Sequence, residues 1–332
     1  MMSNVNHKFS RRRKRSGRGY LRLLLCLFVF GIVINPMGAV AETDTKPLRV
    51  GFSSSTFLEV NENDALAAVK VWSATIAKER GVVTDPTLRV LNGLPEISQA
   101  LVSKSIDAIS LSTEEYWHLR PALDDRIFIV GRIDGSISEE YLLLVHQDSG
   151  IQRIEDLRGR KLIFFLNPRM SLASIWLDTL LLQKGALRTT EFCSATHNYK
   201  LANTVLAVFF RQVDACVVTR RSFKVMNELN PQLSQKLKIL VSSPKFVPAG
   251  FTFRRDYNDT VRKTIIRELT KVANSPEVTQ IQTLFQIGDF EAQPVSCLDR
   301  AFELLATHQR LLAKTKTGAL SKAENVSIGD AK

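Results

Sequence analysis

The chain has 332 residues, of which 45% are hydrophobic, 23% charged and 8% aromatic. That balance is that of a globular protein and excludes a disordered, collagenous or multi-span membrane chain. The formal charge of +12 is unevenly placed: residues 1–41 hold 8 Lys/Arg and no Asp/Glu, so the other 291 residues carry 37 basic and 33 acidic groups, a net of +4, and the overall basicity gives no support to a nucleic-acid partner.

The leader reads as a targeting segment. Arg11, Arg12, Arg13, Lys14, Arg15, Arg18 and Arg22 precede the apolar run Leu23 to Ile34, and Ala39-Val40-Ala41 offers the small residues of a cleavage site. This is the order of a secretory signal peptide. Twelve helical residues rise about 18 Å, short of a hydrocarbon core of roughly 30 Å. The expectation is a signal peptide over 1–41, a mature chain starting at Glu42, and export to the periplasm.

Strands and helices then alternate. Leu48 to Phe52 reads as a strand. Asp64 caps a helix carrying Ala65, Val69, Trp72 and Ile76 at helical spacing. Leu88 to Leu91 is a strand, Pro95 to Lys104 a helix, and Ile106 to Ser110 a third strand, which makes a βαβαβ unit. Ile127 to Val130 adds another strand.

The pattern recurs with strands at Tyr141 to Val145 and Lys161 to Leu166, the latter apolar after its first residue, as in a strand covered on both faces. A helix follows from about Ser171 to Lys184 with Gly185 as its stop. Phe192 to Ala195 is extended, Asn198 caps a helix to Arg211, and Ala215 to Thr219 is a strand. A further helix ends near Asn230-Pro231. Leu237 to Ser242 and Ala249 to Phe253 are strands. Val261, Ile265, Leu269 and Val272 share a helix face, and Ala301 to Leu312 forms the last helix. Residues 315–332 are polar without periodicity and are expected to be a flexible tail.

Two α/β units of ordinary domain size fit the mature length. The expected arrangement is α/β and two-lobed, each lobe a mainly parallel sheet with flanking helices. Lobe one would comprise 42–136 plus 245–314, and lobe two 137–244. The chain would cross near Ile133–Glu140 and Ser242–Ala249, making a hinge and a cleft, with the ligand at the carboxyl ends of the strands.

The search for chemistry finds no phosphate-loop lysine motif, no G-x-G-x-x-G after a strand, no G-x-S-x-G, no H-E-x-x-H and no paired C-x-x-C. His118, His146, His197 and His308 are at least 28 residues apart. Glu114-Glu115 and Asp124-Asp125 read as solvated helix-end charges, because adjacent helical residues do not face each other. Of the mature cysteines, Cys193 and Cys216 fall on two predicted strands of one region and either bridge or stay buried thiols, and Cys297 is left over. No enzyme activity, metal or cofactor is expected. Five polar turns follow predicted strands: Ser53 to Thr56, Ser112-Thr113, Asn167 to Ser171, Ser194 to Asn198, and Thr219. Their hydroxyls and free N–H groups are donors for an anion, and equally good caps.

Tyr141 to Val145, Asp148-Ser149-Gly150-Ile151 and Ile154 to Lys161 together resemble the second-lobe entry of the PhnD-like periplasmic phosphate/phosphite/phosphonate-binding proteins of ABC importers. Ser194-Ala195-Thr196-His197 resembles that family's S-x-S-H turn, and Val213-Asp214-Ala215 its D-A strand entry. The likeness covers about residues 48 to 256. It implies a type II binding-protein fold and capture of a small oxyanion for a membrane permease. It also implies Thr196 and His197 as ligand contacts and Tyr116 as an aromatic wall. At the 169–173 turn the family has a run of Gly, Ser and Thr. Here it reads Arg169-Met170-Ser171-Leu172-Ala173, with Met170 and Leu172 expected to crowd the pocket and Arg169 to replace lost donors with fixed charge.

The reading is an exported, monomeric solute-binding protein. Ser53, Ser54 and Tyr116 from lobe one and Arg169, Ser171, Thr196 and His197 from lobe two hold a small anionic ligand for an ABC permease, with no nucleic acid involved. A sensing module for a membrane receptor or kinase, an exported hydrolase, and a receptor with a decayed site are the alternatives.

Overall fold

The computed structural model describes residues 47–57, 89–270 and 288–329, with scattered positions from 63 to 87 and residue 279. The signal peptide expected at 1–41, and the residues Ala65, Val69, Trp72 and Ile76 of the helix expected after Asp64, lie outside the described residues. Among the described residues the strands are β1 (Val50–Ser53), β2 (Arg89–Leu91), β3 (Ala108–Ser112), β4 (Ile127–Arg132), β5 (Glu139–His146), β6 (Lys161–Phe165), β7 (Ser194–Asn198), β8 (Ala215–Thr219), β9 (Leu237–Phe246), β10 (Ala249–Phe253) and β11 (Asp289–Pro294). The helices that position the site are α1 (Gly93–Val102), α2 (Thr113–Leu119), α3 (Ala173–Gln183), α4 (Leu201–Phe209), α5 (Arg220–Leu229), α6 (Asp259–Thr270) and α7 (Asp299–Gly329).

These strands form two sheets, one of order β11-β4-β10-β3-β1-β2 and one of order β7-β6-β8-β5-β9. The chain leaves the first between β4 and β5 and returns between β9 and β10. Both sheets are mixed rather than mainly parallel. The β1–β2, β1–β3, β6–β7 and β6–β8 pairs are parallel, whereas β10 runs antiparallel to β3 and β4, β11 to β4, and β5 to β8 and β9. The parallel pairs carry helical crossovers. A strand arriving from the other sheet has no such crossover to fix its direction.

The second sheet is the more deeply covered. Tyr141 to Val145 are all fully buried, and so is every residue of β8. This is why these strands are unbroken apolar runs. Helix α3 ends at Gly185 in the left-handed region, with Ala186 N–H returning to the Leu181 carbonyl, the cap that the glycine signals.

The last helix departs from expectation twice. It runs to Gly329, past the residues expected to be a tail. Ala, Leu, Lys and Glu are good helix formers and no proline interrupts them. It also does not belong to lobe one alone. Ala301, Leu304 and Leu305 are part of the core of the second sheet, while Phe302 stacks on Tyr116 and tilts against Trp117 of α2. Adjacent positions on one helix thus cover both lobes, and α7 spans from one to the other.

Candidate functional site

In an open α/β sheet a crevice forms at the carboxyl ends of neighbouring strands whose connections leave in opposite directions. In the first sheet β1 leads to β2 on one side, while β3 lies on the other. The loops after β1 and β3 therefore part, and they carry Ser53 to Phe57 and Ser112 to Glu115. In the second sheet the equivalent gap lies between β6 and β8, framed by Asn167 to Ser171 and Thr219 to Ser222.

The first crevice is organised by a carboxylate. Ser112 caps α2, accepting from the Glu115 N–H at 3.1 Å, and the Glu115 carboxylate accepts from the Ser112 N–H at 2.8 Å, a complete capping box. The same carboxylate reaches across to the β1 turn. Ser53 Oγ donates to Glu115 Oε1 at 2.5 Å, and Ser55 Oγ donates to Oε2 at 3.0 Å. Ser53 is fully buried, and Ser54, Ser55 and Glu115 are half-buried. Of the two hydroxyls expected to meet an anionic ligand, that of Ser53 is already given to a side chain of the protein.

The second crevice is organised by a guanidinium. Asn167 caps the turn Pro168–Met170, accepting from the Arg169 N–H at 2.8 Å, and Tyr141 donates to the Arg169 carbonyl at 3.1 Å. Arg169 Nε donates to the buried Glu139 carboxylate, and Nη2, itself inaccessible, has no hydrogen-bond partner among the described residues. After β8, Arg220 makes a two-pronged pair with Glu140, 2.7 Å at each contact, which holds the Glu140 carboxyl below the usual range. Thr219 caps α5, accepting from the Ser222 N–H.

The two crevices meet. The turn Ser54–Phe57 lies against the turn Pro168–Met170. The returning crossing is gripped from both sides: the Pro248 carbonyl accepts from Thr113 N–H of lobe one and from Ser171 Oγ of lobe two, both at 2.8 Å, and the Val247 carbonyl accepts from Thr113 Oγ1 at 2.6 Å.

The seven residues expected at the site therefore separate. Ser53, Ser54, Arg169 and Ser171 lie on the facing turns, although the Ser53 hydroxyl is held by Glu115 and that of Ser171 by the crossing. Tyr116 is not a cleft wall. It is 1% exposed, its hydroxyl donates to the Asp124 carbonyl at 2.6 Å, and burial pushes its pKa up to about 12. Thr196 and His197 do not sit on a turn before a helix. They lie inside β7, the outer strand of the second sheet, both exposed, with the Thr196 hydroxyl reaching the Leu162 carbonyl at 3.4 Å and the His197 ring stacked on Phe164. The extended segment begins at Ser194 rather than Phe192, because Thr189–Phe192 forms a helical turn first. Met170 and Leu172 do not crowd a pocket, since both are buried in the second-sheet core. Cys193 and Cys216 are free buried thiols, their pKa values raised by burial.

Two site residues escape a sequence reading that takes Glu114-Glu115 as solvated charges. Glu115 is signalled by Ser112-Thr113-Glu114-Glu115, a capping-box pattern directly after a strand. Glu139 carries no local signal, since its burial depends on Arg169 thirty residues later.

Comparison with known proteins follows from this geometry. A family model described as ABC transporter, phosphonate, periplasmic substrate-binding protein matches residues 59–294. No match was found among curated protein sequences. The fold is similar to that of a Xanthomonas citri protein bound to chloride ion, with TM-score 0.58 and 17% identity over 80% of this chain and 99% of that one. It is similar to a binding-protein component of an ABC phosphonate transporter from Pseudomonas aeruginosa, with TM-score 0.55 and 15% identity over 86% of this chain and 100% of that one. It is also similar to PhnD1 from Prochlorococcus marinus in complex with methylphosphonate, with TM-score 0.52 and 14% identity over 78% and 97% of the two chains. At these identities the likeness is one of fold.

Proposed function

Since the chain belongs to the family of periplasmic phosphonate-type substrate-binding proteins of ABC transporters, we propose that it captures a small oxyanion, phosphonate- or sulfonate-like, between its two lobes and delivers it to an importer. The observation that carries this reading is Arg169. Arg169 stands in the turn that follows β6, a turn that lies against the lobe-one turn Ser54–Phe57, and among the described residues its buried Nη2 has no hydrogen-bond partner. A fixed cation with spare donors, set where ligands lie in this class of sheet, is suited to an oxyanion. Glu139, of the same lobe, neutralises part of that charge and orients the fork.

Capture needs no bond-making, and the crevices are furnished accordingly. Their polar side chains are paired as hydrogen-bond and charge partners, and the ligand adds its oxygens to a prepared set of donors. Closing the lobes removes the ligand from water and strengthens each such bond. The closed form then presents both lobes in one fixed relation to a permease.

The test is a thermal-shift panel on the mature protein with phosphate, methylphosphonate, short sulfonates, carboxylates and amines. A ligand at 100 times its Kd stabilises by about 2.7 kcal/mol. The expected result is a response to at least one oxyanion that disappears in Arg169→Met. Silence across every oxyanion, with a response to an amine or a neutral compound, overturns the proposal.

A further inference from the structure

Glu115 is an unusual occupant for a crevice built to meet an oxyanion. Its carboxylate takes the Ser53 hydroxyl, the Ser55 hydroxyl and the Ser112 N–H. These are the donors that lobe one offers at the end of β1 and β3. A carboxylate has about four acceptor sites. Among the described residues three are filled, one on Oε1 and two on Oε2, so Oε1 keeps one acceptor position. The side chain is half-buried, not sealed, and the Ser54–Phe57 turn it supports lies on the seam against Arg169's turn. At the helix N-terminus the Thr113 N–H is given to Pro248 and the Glu115 N–H to the capping box.

We propose that Glu115 is the specificity-determining contact of lobe one, a fixed carboxylate that accepts a hydrogen bond from a donor group on the ligand's far end and rejects a ligand bearing a second anionic group there. The inference rests on the capture reading above and adds the ligand's chemistry to it: an oxyanion head for Arg169 and a hydroxyl-like tail for Glu115. Three hydrogen bonds keep the carboxylate in place. It cannot swing away to admit a second anion without giving up all three bonds and leaving the fully buried Ser53 hydroxyl with only the Ser55 hydroxyl, at 2.9 Å, among the side-chain partners described for it, and unmade buried bonds are costly.

The test compares two ligands that share one head and differ only in the tail: 2-hydroxyethylsulfonate and sulfoacetate. Calorimetric titration of the full mature chain is expected to show the hydroxyl compound binding at least about tenfold more tightly, the size of one charge-assisted hydrogen bond gained against one repulsion avoided. In Glu115→Gln, which retains an acceptor for Ser112 and removes the charge, the preference is expected to shrink to about threefold or less.

A merely structural Glu115 would lower Tm in the Gln variant and leave the ratio of the two affinities unchanged, and that outcome overturns the proposal. Equal binding by the unmutated protein, or a preference for sulfoacetate, overturns it without any variant, so the proposal remains testable even where Glu115→Gln does not fold. If neither compound binds the unmutated protein or Glu115→Gln, this inference fails. The capture reading falls with it only if the wider oxyanion panel is silent too.

Discussion

The two crevices are built to one plan with opposite charge. In lobe one a carboxylate, Glu115, is netted by two serine hydroxyls and a backbone N–H on neighbouring loops. In lobe two a guanidinium, Arg169, is tied to the buried Glu139 and retains a free nitrogen. The difference lies in what each has left over. Lobe one spends its donors internally and offers a residual acceptor. Lobe two spends one acceptor and offers residual donors. A polar strand-to-helix turn therefore does not by itself make an anion site: the fold decides whether its donors remain available.

The harshest test of this contrast is Arg169→Met. It breaks the ion pair made by the Glu139 carboxylate, which is 6% exposed. Breaking a buried pair from one side costs more than the pair contributes, and with Arg169 itself partly exposed the expected loss is about 3 kcal/mol, read as a Tm decrease in calorimetry. The double variant Arg169→Met, Glu139→Leu is expected to recover most of that loss while remaining blind to oxyanions. If the single variant keeps its Tm, the pair is not buried and the lobe-two half of the comparison fails.

The contrast also requires the two crevices to stay opposed, which makes α7 the next element to probe. Asp178 of α3 lies 3.5 Å from His308 of α7. Burial disfavours its charge, but the approach of His308 and the hydrogen bonds from Thr189 and Arg188 outweigh this and lower its pKa to about 2. A depressed carboxylate pKa contributes stability that is complete above the unfolded value near 3.9 and is lost as pH falls toward 2. Asp178→Asn is therefore expected to cost about 2 kcal/mol at neutral pH. The gap between the two proteins should close as pH drops from 4 to 2 in denaturant titrations. A gap that is constant with pH would mean that the ionised form is not what anchors α7.

A smaller effect is expected at the crossing. Ser171→Ala removes one of the two donors to the Pro248 carbonyl, leaving the Thr113 N–H in place. About 1 kcal/mol should be lost, with oxyanion affinity changed by less than about threefold, below 0.7 kcal/mol. Thr113→Val, which removes the bond to Val247 and preserves shape, is expected to match it. A large loss of affinity in Ser171→Ala alone would return this hydroxyl to the ligand.

What the sequence reveals follows from the range of the signal. Ala215 to Thr219 and Ala249 to Phe253 are legible to the residue, because an apolar run bounded by turn residues is a local property. The two crossings are legible because Gly135, Ser136, Pro244 and Pro248 punctuate the chain. Strand direction is not, since the antiparallel entry of β10 depends on where the chain has been. Among candidate site residues, Ser53 and Arg169 lie at strand ends as their sequence positions indicate. Tyr116 is misplaced because an aromatic after a polar turn fits a wall or a core equally well, and Phe302, which stacks on it, lies 186 positions later.

The family likeness in Thr196-His197 leads to the last and smallest expected effect. The likeness makes these residues ligand contacts, while the structure sets them in an edge strand, exposed and outside the gap between β6 and β8. In His197→Ala the lost interaction is a stack on Phe164 at the surface, about 0.5 kcal/mol. The oxyanion response of the thermal-shift panel should be unaltered. A lost response with an unchanged fold would mean that the ligand is held at the β7 edge, and the opposed charges of Glu115 and Arg169 would then describe how the lobes are fastened rather than what they hold.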